Sequence, residues 1–207
     1  MKYKSVLAIG AHPDDVEFSC LGYLMQLRDE GTSVNVYIAS SGSVGDPSSG
    51  PIRLAESRAA LSCIDGVTIF ANEEAGVLES SYEEISSDIR RIILEAKPDL
   101  ILVHDHNDTH QEHRVLHDIL VTAARRCPVS IFTYKSVSVT ASFKENVFVD
   151  VSKYLEKKIS AINMHVSQAG SEYMTREFIV SYHENWFAKI HGLGAVESYC
   201  VEQLIVK

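Results

Sequence analysis

Short apolar runs alternate with amphipathic stretches along the first two thirds of the chain. Ser5–Ile9 is a compact apolar run and predicts a strand. From Asp15 to Glu30 the residues Val16, Leu21, Leu24, Met25 and Leu27 approximate helical spacing, and Gly31 stops the run. Val34–Ala39, rich in β-branched residues, predicts a second strand, Arg53–Ile64 a helix, and Val67–Phe70 a short strand. Tyr82–Ala96 reads as a helix ended by Lys97-Pro98, because proline disfavours helix at the preceding residue. Leu100–Val103 reads as a buried strand, Gln111–Arg126 as a helix ending before Pro128, and Ile131–Tyr134 as a further strand.

Strand then helix, repeated, implies an α/β protein with a parallel sheet covered on both faces. Right-handed crossovers give a Rossmann-like strand order of about 3-2-1-4-5, flanked by helices. After Lys135 the pattern loosens into a less regular C-terminal part. Ser136–Val151 reads as extended segments, Lys153–Val166 as a helix and Cys200–Val206 as a late strand. No linker, repeat or composition break intervenes, so residues 1–207 are expected to form one domain. In such a sheet, ligands bind beyond the carboxyl ends of the strands, where the strand order reverses. That point lies between the strand ending near Ile9 and the strand ending near Val103. The loops that follow them are Gly10–Asp15 and His104–His113.

Composition narrows the function. The 207 residues are 45% hydrophobic and 23% charged, which excludes disordered, collagen-like and disulfide-miniprotein classes. A chain this long buries a core without a staple, so a metal would be there for chemistry. The net charge of −9 repels phosphate backbones, so no nucleic-acid partner is expected. Cysteines 20, 63, 127 and 200 form no CxxC pair and read as reduced thiols of a cytoplasmic protein. The apolar run behind the basic start is too short for a signal peptide, and no stretch approaches the ~20 residues that span a bilayer.

The two loops hold the reactive residue types. Five of the nine histidines lie between His104 and His117. With His12 opposite, six imidazoles and several carboxylates face one crevice, a set suited to Zn²⁺ or Fe²⁺. A helix cap would explain Asp14 and Asp15 alone, but not the meeting of both loops at one switch point. Phosphate binding is disfavoured, since neither GxGxxG nor a P-loop occurs. Spacing leaves the ligands open. His106 and His110, His110 and His113, and His113 and His117 each stand three or four apart. His110 to His113 reads H-x-E-H, which is not a zincin motif.

At this point the residues resemble a family. Ala11-His12-Pro13-Asp14-Asp15-Val16-Glu17, Gly22 and Asp108-Thr109-His110-Gln111-Glu112-His113-Arg114 are similar to the LmbE-like family. That family includes GlcNAc-phosphatidylinositol de-N-acetylases (PIG-L) and the glucosaminyl deacetylases of low-molecular-weight thiol biosynthesis. The likeness extends through Arg53-Leu54-Ala55-Glu56, Val149-Asp150-Val151, His165-Val166-Ser167-Gln168 and Gly194–Tyr199. Glu112 departs from the family's usual Asp, with little effect expected at a position that is not a ligand. The resemblance implies one Zn²⁺ per chain, held by His12, Asp15 and His113. It implies Asp14 as general base, and His110 as oxyanion partner or proton donor to the leaving amine. It places Arg53 toward the substrate.

Further candidates accompany these. Arg114 and His165, the latter expected mid-helix, are candidate substrate contacts, and Asp108 is expected to orient His110. Ser40–Gly50 reads as a mobile rim or lid, or as a plain surface loop. Tyr182 and Trp186, four apart, read as core or interface. The expected function is zinc-dependent removal of an acetyl group from an N-acetylamino sugar or its conjugate. Two alternatives share the triad: a non-haem Fe(II) enzyme and a non-catalytic metal-containing binding module. The expected partner is a small amino-sugar substrate; assembly into a homo-oligomer is left open.

Overall fold

The computed structural model describes residues 2–43, 48–73 and 78–206. The rim reading of Ser40–Gly50 therefore falls partly outside the described residues. Five parallel strands form the expected frame: β1 (Ser5–Gly10), β2 (Ser33–Ile38), β3 (Thr68–Ala71), β4 (Leu100–His104) and β5 (Ser130–Tyr134). The sheet runs β3-β2-β1-β4-β5 and continues into β7 (Val196–Gln203) and β6 (Val147–Asp150). β7 is antiparallel to both β5 and β6.

Alternation along β1 explains the layers. Val6 and Ala8 point into a core shared with α1 (Asp15–Asp29), α2 (Ser49–Leu61) and α5 (Leu155–Ile162). Leu7 and Ile9 point into a second core with α3 (Tyr82–Ala96) and α4 (Gln111–Ala124). All six β1 residues are buried, as expected of a strand covered on both faces. A third, smaller cluster joins Phe18 of α1 to α5 and to α6 (Arg176–His183).

Helix α1 reaches the C-terminal strands through Gly22. A Cβ there would lie 2.7 Å from Val151 Cβ and 2.9 Å from Glu197 Oε1, so only glycine permits this approach. Glu197 is buried, and its carboxylate is fully engaged. It accepts from Gly22 N, Tyr23 N and Tyr199 OH, and pairs with Lys158 Nζ at 2.6 Å. This joins α1, α5 and β7 around one charge.

α2 spans Ser49–Leu61 rather than Arg53–Ile64, and the larger differences from expectation lie after β5. The late strand starts at Val196 rather than Cys200. Within Ser136–Val151 only Val147–Asp150 is a strand, although Asp108 and Val139 form an isolated bridge. α6 and α7 (Trp186–His191) were not anticipated. Tyr182 and Trp186 lie on different helices. Tyr182 donates to Ser136 O, while Trp186 is exposed. Cys20, Cys63, Cys127 and Cys200 are free thiols. No helix among the described residues is long and apolar enough to cross a membrane.

Candidate metal-dependent active site

The chain turns sharply between β1 and α1. Asp14 takes φ 116°, a left-handed conformation that non-glycine residues rarely adopt. Such a residue costs about 1–3 kcal/mol and is kept where its surroundings fix it. Here Phe18 N donates to Asp14 O at 2.9 Å, and His12 N donates to Asp15 Oδ2 at 2.7 Å. Asp14 occupies the cap position of α1, yet its side chain accepts no capping bond. It turns instead toward Arg53, whose Nη2 lies 3.4 Å from Asp14 Oδ2. Arg53 also donates to Gly42 O and Pro13 O. It sits one turn inside α2, not at its start.

Across the switch point, β4 ends at His104, and His110 caps α4 through its backbone. Asp108 organises the loop. Its Oδ1 accepts from His110 N at 2.8 Å, and its Oδ2 lies 3.0 Å from His113 Nδ1. Asp108 thus orients the His113 ring, not the His110 ring as expected. With Nδ1 engaged, His113 presents Nε2, which faces Asp15 Oδ1 at 3.4 Å. A parallel arrangement holds His12. Its Nε2 lies 2.6 Å from Glu112 Oε2, and Leu78 N donates to Glu112 Oε1 at 2.9 Å. His12 Nδ1 faces Asp15 Oδ2 at 3.5 Å. Glu112, expected to matter little, is therefore a positioning residue.

The charges follow from burial and pairing. Burial pulls His12 down, but Asp15 and Glu112 overcome it and raise the imidazole to about 10. His113, also opposed by burial, is raised by Asp15 and Asp108 to about 9. His104 lies fully buried with Nε2 3.1 Å from Asp15 Oδ2, and burial lowers it to about 4. Burial and the neighbouring Asp15 charge raise Asp14 to about 7. Burial and the charges of His113 and His12 lower His110, which favours its neutral ring.

This floor attracts positive charge and fits a borderline divalent cation. Two imidazoles, each with one nitrogen on a carboxylate, and the Asp15 carboxylate are the donor types that hold such ions. Among the described residues the donors form overlapping groups. One atom each from His12, His110 and His113 lie within 4.8 Å of one another, as do those from Asp15, His104 and His113. The chain thus carries a His/Asp cluster able to bind a metal. His104 is a neighbour of this cluster that the spacing did not single out.

Above the floor opens a cleft of about 840 Å³, a size suited to a small molecule. His12, Asp14, Asp15, Arg53, His110 and His113 all line it. Phe18 and Tyr173, unforeseen, form an edge-to-face pair along its wall, with ring centroids 6.2 Å apart. Two expected substrate contacts do not reach it. Arg114 turns back, and its Nη1 donates to Asp108 O at 2.6 Å. His165 follows α5 and is buried, with Nε2 3.3 Å from Glu17 Oε1.

Comparison with known proteins agrees with this geometry. Residues 7–124 match the profile of the GlcNAc-PI de-N-acetylase (PIG-L) family. An uncharacterized deacetylase of Escherichia coli K12, YaiS, is 30% identical, the match covering 80% of this chain and 92% of that protein. The diacetylchitobiose deacetylase of Thermococcus kodakarensis is 27% identical, covering 80% of this chain and 70% of that protein. The solved N,N′-diacetylchitobiose deacetylase from Pyrococcus horikoshii, in complex with its inhibitor MPG, has the same fold. It superposes with a TM-score of 0.82 at 21% identity, over 97% of this chain and 84% of that one.

Proposed function

This chain belongs to the GlcNAc-PI de-N-acetylase (PIG-L) family, and we propose that it is a zinc enzyme acting on an N-acetylamino sugar or its conjugate. Its activity is hydrolytic N-deacetylation. The observation that carries the finer reading is the convergence of His12, Asp15 and His113 beneath a cleft that also holds the strained Asp14. Two relatives act on diacetylchitobiose by name. An aromatic wall of Phe18 and Tyr173 beside polar groups suits the mixed faces of a pyranose ring. Residues 1–207 are read as one such domain, and His12, Asp15 and His113 as holders of one Zn²⁺.

When bound, the cation acidifies water and polarises the amide carbonyl. The remaining work falls to the chain. Asp14, raised by burial, is matched to take a proton near neutral pH and to return it to the leaving amine. Arg53 holds that carboxylate at 3.4 Å and ties it to the Gly42 and Pro13 carbonyls. His110, neutral and exposed at the cleft mouth, offers an N–H to the oxygen that gains charge as the carbonyl is attacked. Acetate and a free amine leave.

The test is acetate release from a panel of N-acetylglucosaminides, with metal analysis of each protein. Asp14→Asn should lower turnover by about 10²–10⁴ and retain the metal. Parent-like turnover in that variant overturns the base assignment. Asp15→Ala should lose the cleft metal after dialysis; its full retention overturns the ligand assignment. Iron in place of zinc in the active protein overturns the choice of cation.

A further inference from the structure

A second donor group lies outside the cleft. His106 in the loop after β4, His117 on α4 and Glu202 on β7 each bring one donor atom within 4.8 Å of the others. We propose that these three residues form a second binding site for a borderline divalent cation of the Zn²⁺ class, which fastens the His104–His110 loop to α4 and β7.

Three observations support it independently of the cleft. His117 is buried, and its Nε2 has no hydrogen-bond partner among the described residues. Its Nδ1 lies 3.2 Å from Asp118 Oδ1. An imidazole whose Nδ1–H is directed at a carboxylate keeps its lone pair on Nε2, which is the ligating form. A buried basic nitrogen without a partner is destabilising unless something occupies its lone pair.

Glu202 arrives by an irregularity of the sheet. Ile131 pairs with Gln203 and Phe132 with Val201, so Glu202 is the extra residue of a bulge on β7. Bulges redirect side chains locally. His106 arrives on a braced loop. Asp105 accepts from Asn107 N at 2.8 Å and from the Thr133 hydroxyl, His106 Nδ1 lies 3.5 Å from Asp105 Oδ1, and the Asn107 side-chain amide stands 2.9 Å from His106 Nε2, a contact that a bound cation would displace. The His106 and His117 rings stand 5.4 Å apart, centroid to centroid. Two imidazoles and one carboxylate select Zn²⁺, Co²⁺ or Ni²⁺ over Ca²⁺ and Mg²⁺, which take oxygen ligands. None of its three members lines the cleft. Its cation would be structural.

The experiment counts metal on the full chain. Protein stripped with a chelator is titrated with Co²⁺, followed by its absorption, and with Zn²⁺, followed by metal analysis after desalting. The parent should take up two equivalents. His106→Gln and Glu202→Gln, both at exposed positions, should each weaken the second equivalent about tenfold or more. Adding His117→Gln should abolish it, leaving acetate release at the parent level. Asp15→Asn should lose the cleft equivalent and keep the outer one, so failure of either reading is visible without the other. Melting temperatures in chelator identify any variant that has lost its fold, and the two exposed variants carry the test if His117→Gln does. The proposal is overturned if the parent binds only the equivalent that Asp15→Asn removes. It is equally overturned if the two exposed variants together bind the second cation as tightly as the parent.

Discussion

His113 and His117 stand one turn apart on α4 and serve opposite neighbourhoods. Each has Nδ1 beside an aspartate, at 3.0 Å from Asp108 and 3.2 Å from Asp118. The difference lies in the aspartate. Asp108 is buried and is itself braced by the Ser136 hydroxyl. The Asp118 side chain is 72% exposed. A buried carboxylate fixes the ring strongly because water does not compete for it; an exposed one is screened. The inner cluster is therefore preorganised, with Glu112 repeating the device on His12. The outer cluster has one well-placed nitrogen and two donors that must settle around an ion. Spacing along a helix brings imidazoles together, whereas buried acids decide which of them is aimed.

Removing the inner brace should have the largest effect. Asp108→Ala should weaken metal binding in the cleft by about 10–100-fold, because loss of such a partner lets the ligand ring rotate. Deacetylation at limiting Zn²⁺ should fall in step, and excess Zn²⁺ should recover much of it. The outer equivalent should change far less. Competition with a chromophoric chelator measures both. Equal loss at the two places would mean that the loop, not the carboxylate, is the unit of organisation.

The inner cluster was legible in the sequence for a chemical reason. His12, Asp14, Asp15, His110 and His113 lie in two short runs, and the topology that joins the runs follows from apolar runs buried on both faces. The helix Tyr82–Ala96 was readable to the residue, because Pro98 and a strong apolar period bound it. Partnerships across the fold were not readable. His12 and Glu112 are a hundred residues apart, and no local pattern joins them. Arg114 and His165 were misplaced because a long or basic side chain takes the nearest acceptor, here Asp108 O and Glu17. α6 and α7 have eight and six residues, too few for a period to stand out. Their caps were visible signals: Thr175 accepts from Phe178 N, and Asn185 from Phe187 N and Ala188 N. β7 was shifted because its first half is buried and its second half is not.

Glu112 offers a smaller and sharper perturbation. It braces His12 but also receives Leu78 N, so its removal frees a buried backbone donor as well as a ring. Glu112→Ala should weaken metal in the cleft by about tenfold, the lower end of such effects, and lower the melting temperature by a few degrees. Glu112→Gln keeps an oxygen to accept from Leu78 N but turns an amide NH2 toward His12 Nε2, so one of the two hydrogen bonds survives and the charge is lost. It should recover the stability and only part of the affinity. If Gln recovered the full affinity, His12 would not need an acceptor at Nε2, and the parallel with Asp108 would fail.

The gentlest test lies on the outer side. Asp118→Asn removes the charge beside His117 Nδ1 and leaves an acceptor in place. Because the Asp118 side chain is largely in water, its interaction with the ring is worth ~0–1 kcal/mol, or no more than about fivefold in outer-metal affinity. Titration of the second Co²⁺ equivalent reads this directly, and the cleft equivalent serves as the internal control. A loss of about a hundredfold would show that exposure does not weaken the brace, and the contrast between the two clusters would then have to rest on the bulge at Glu202 instead. A loss within fivefold leaves burial of the supporting acid as the feature that separates two imidazoles one helical turn apart.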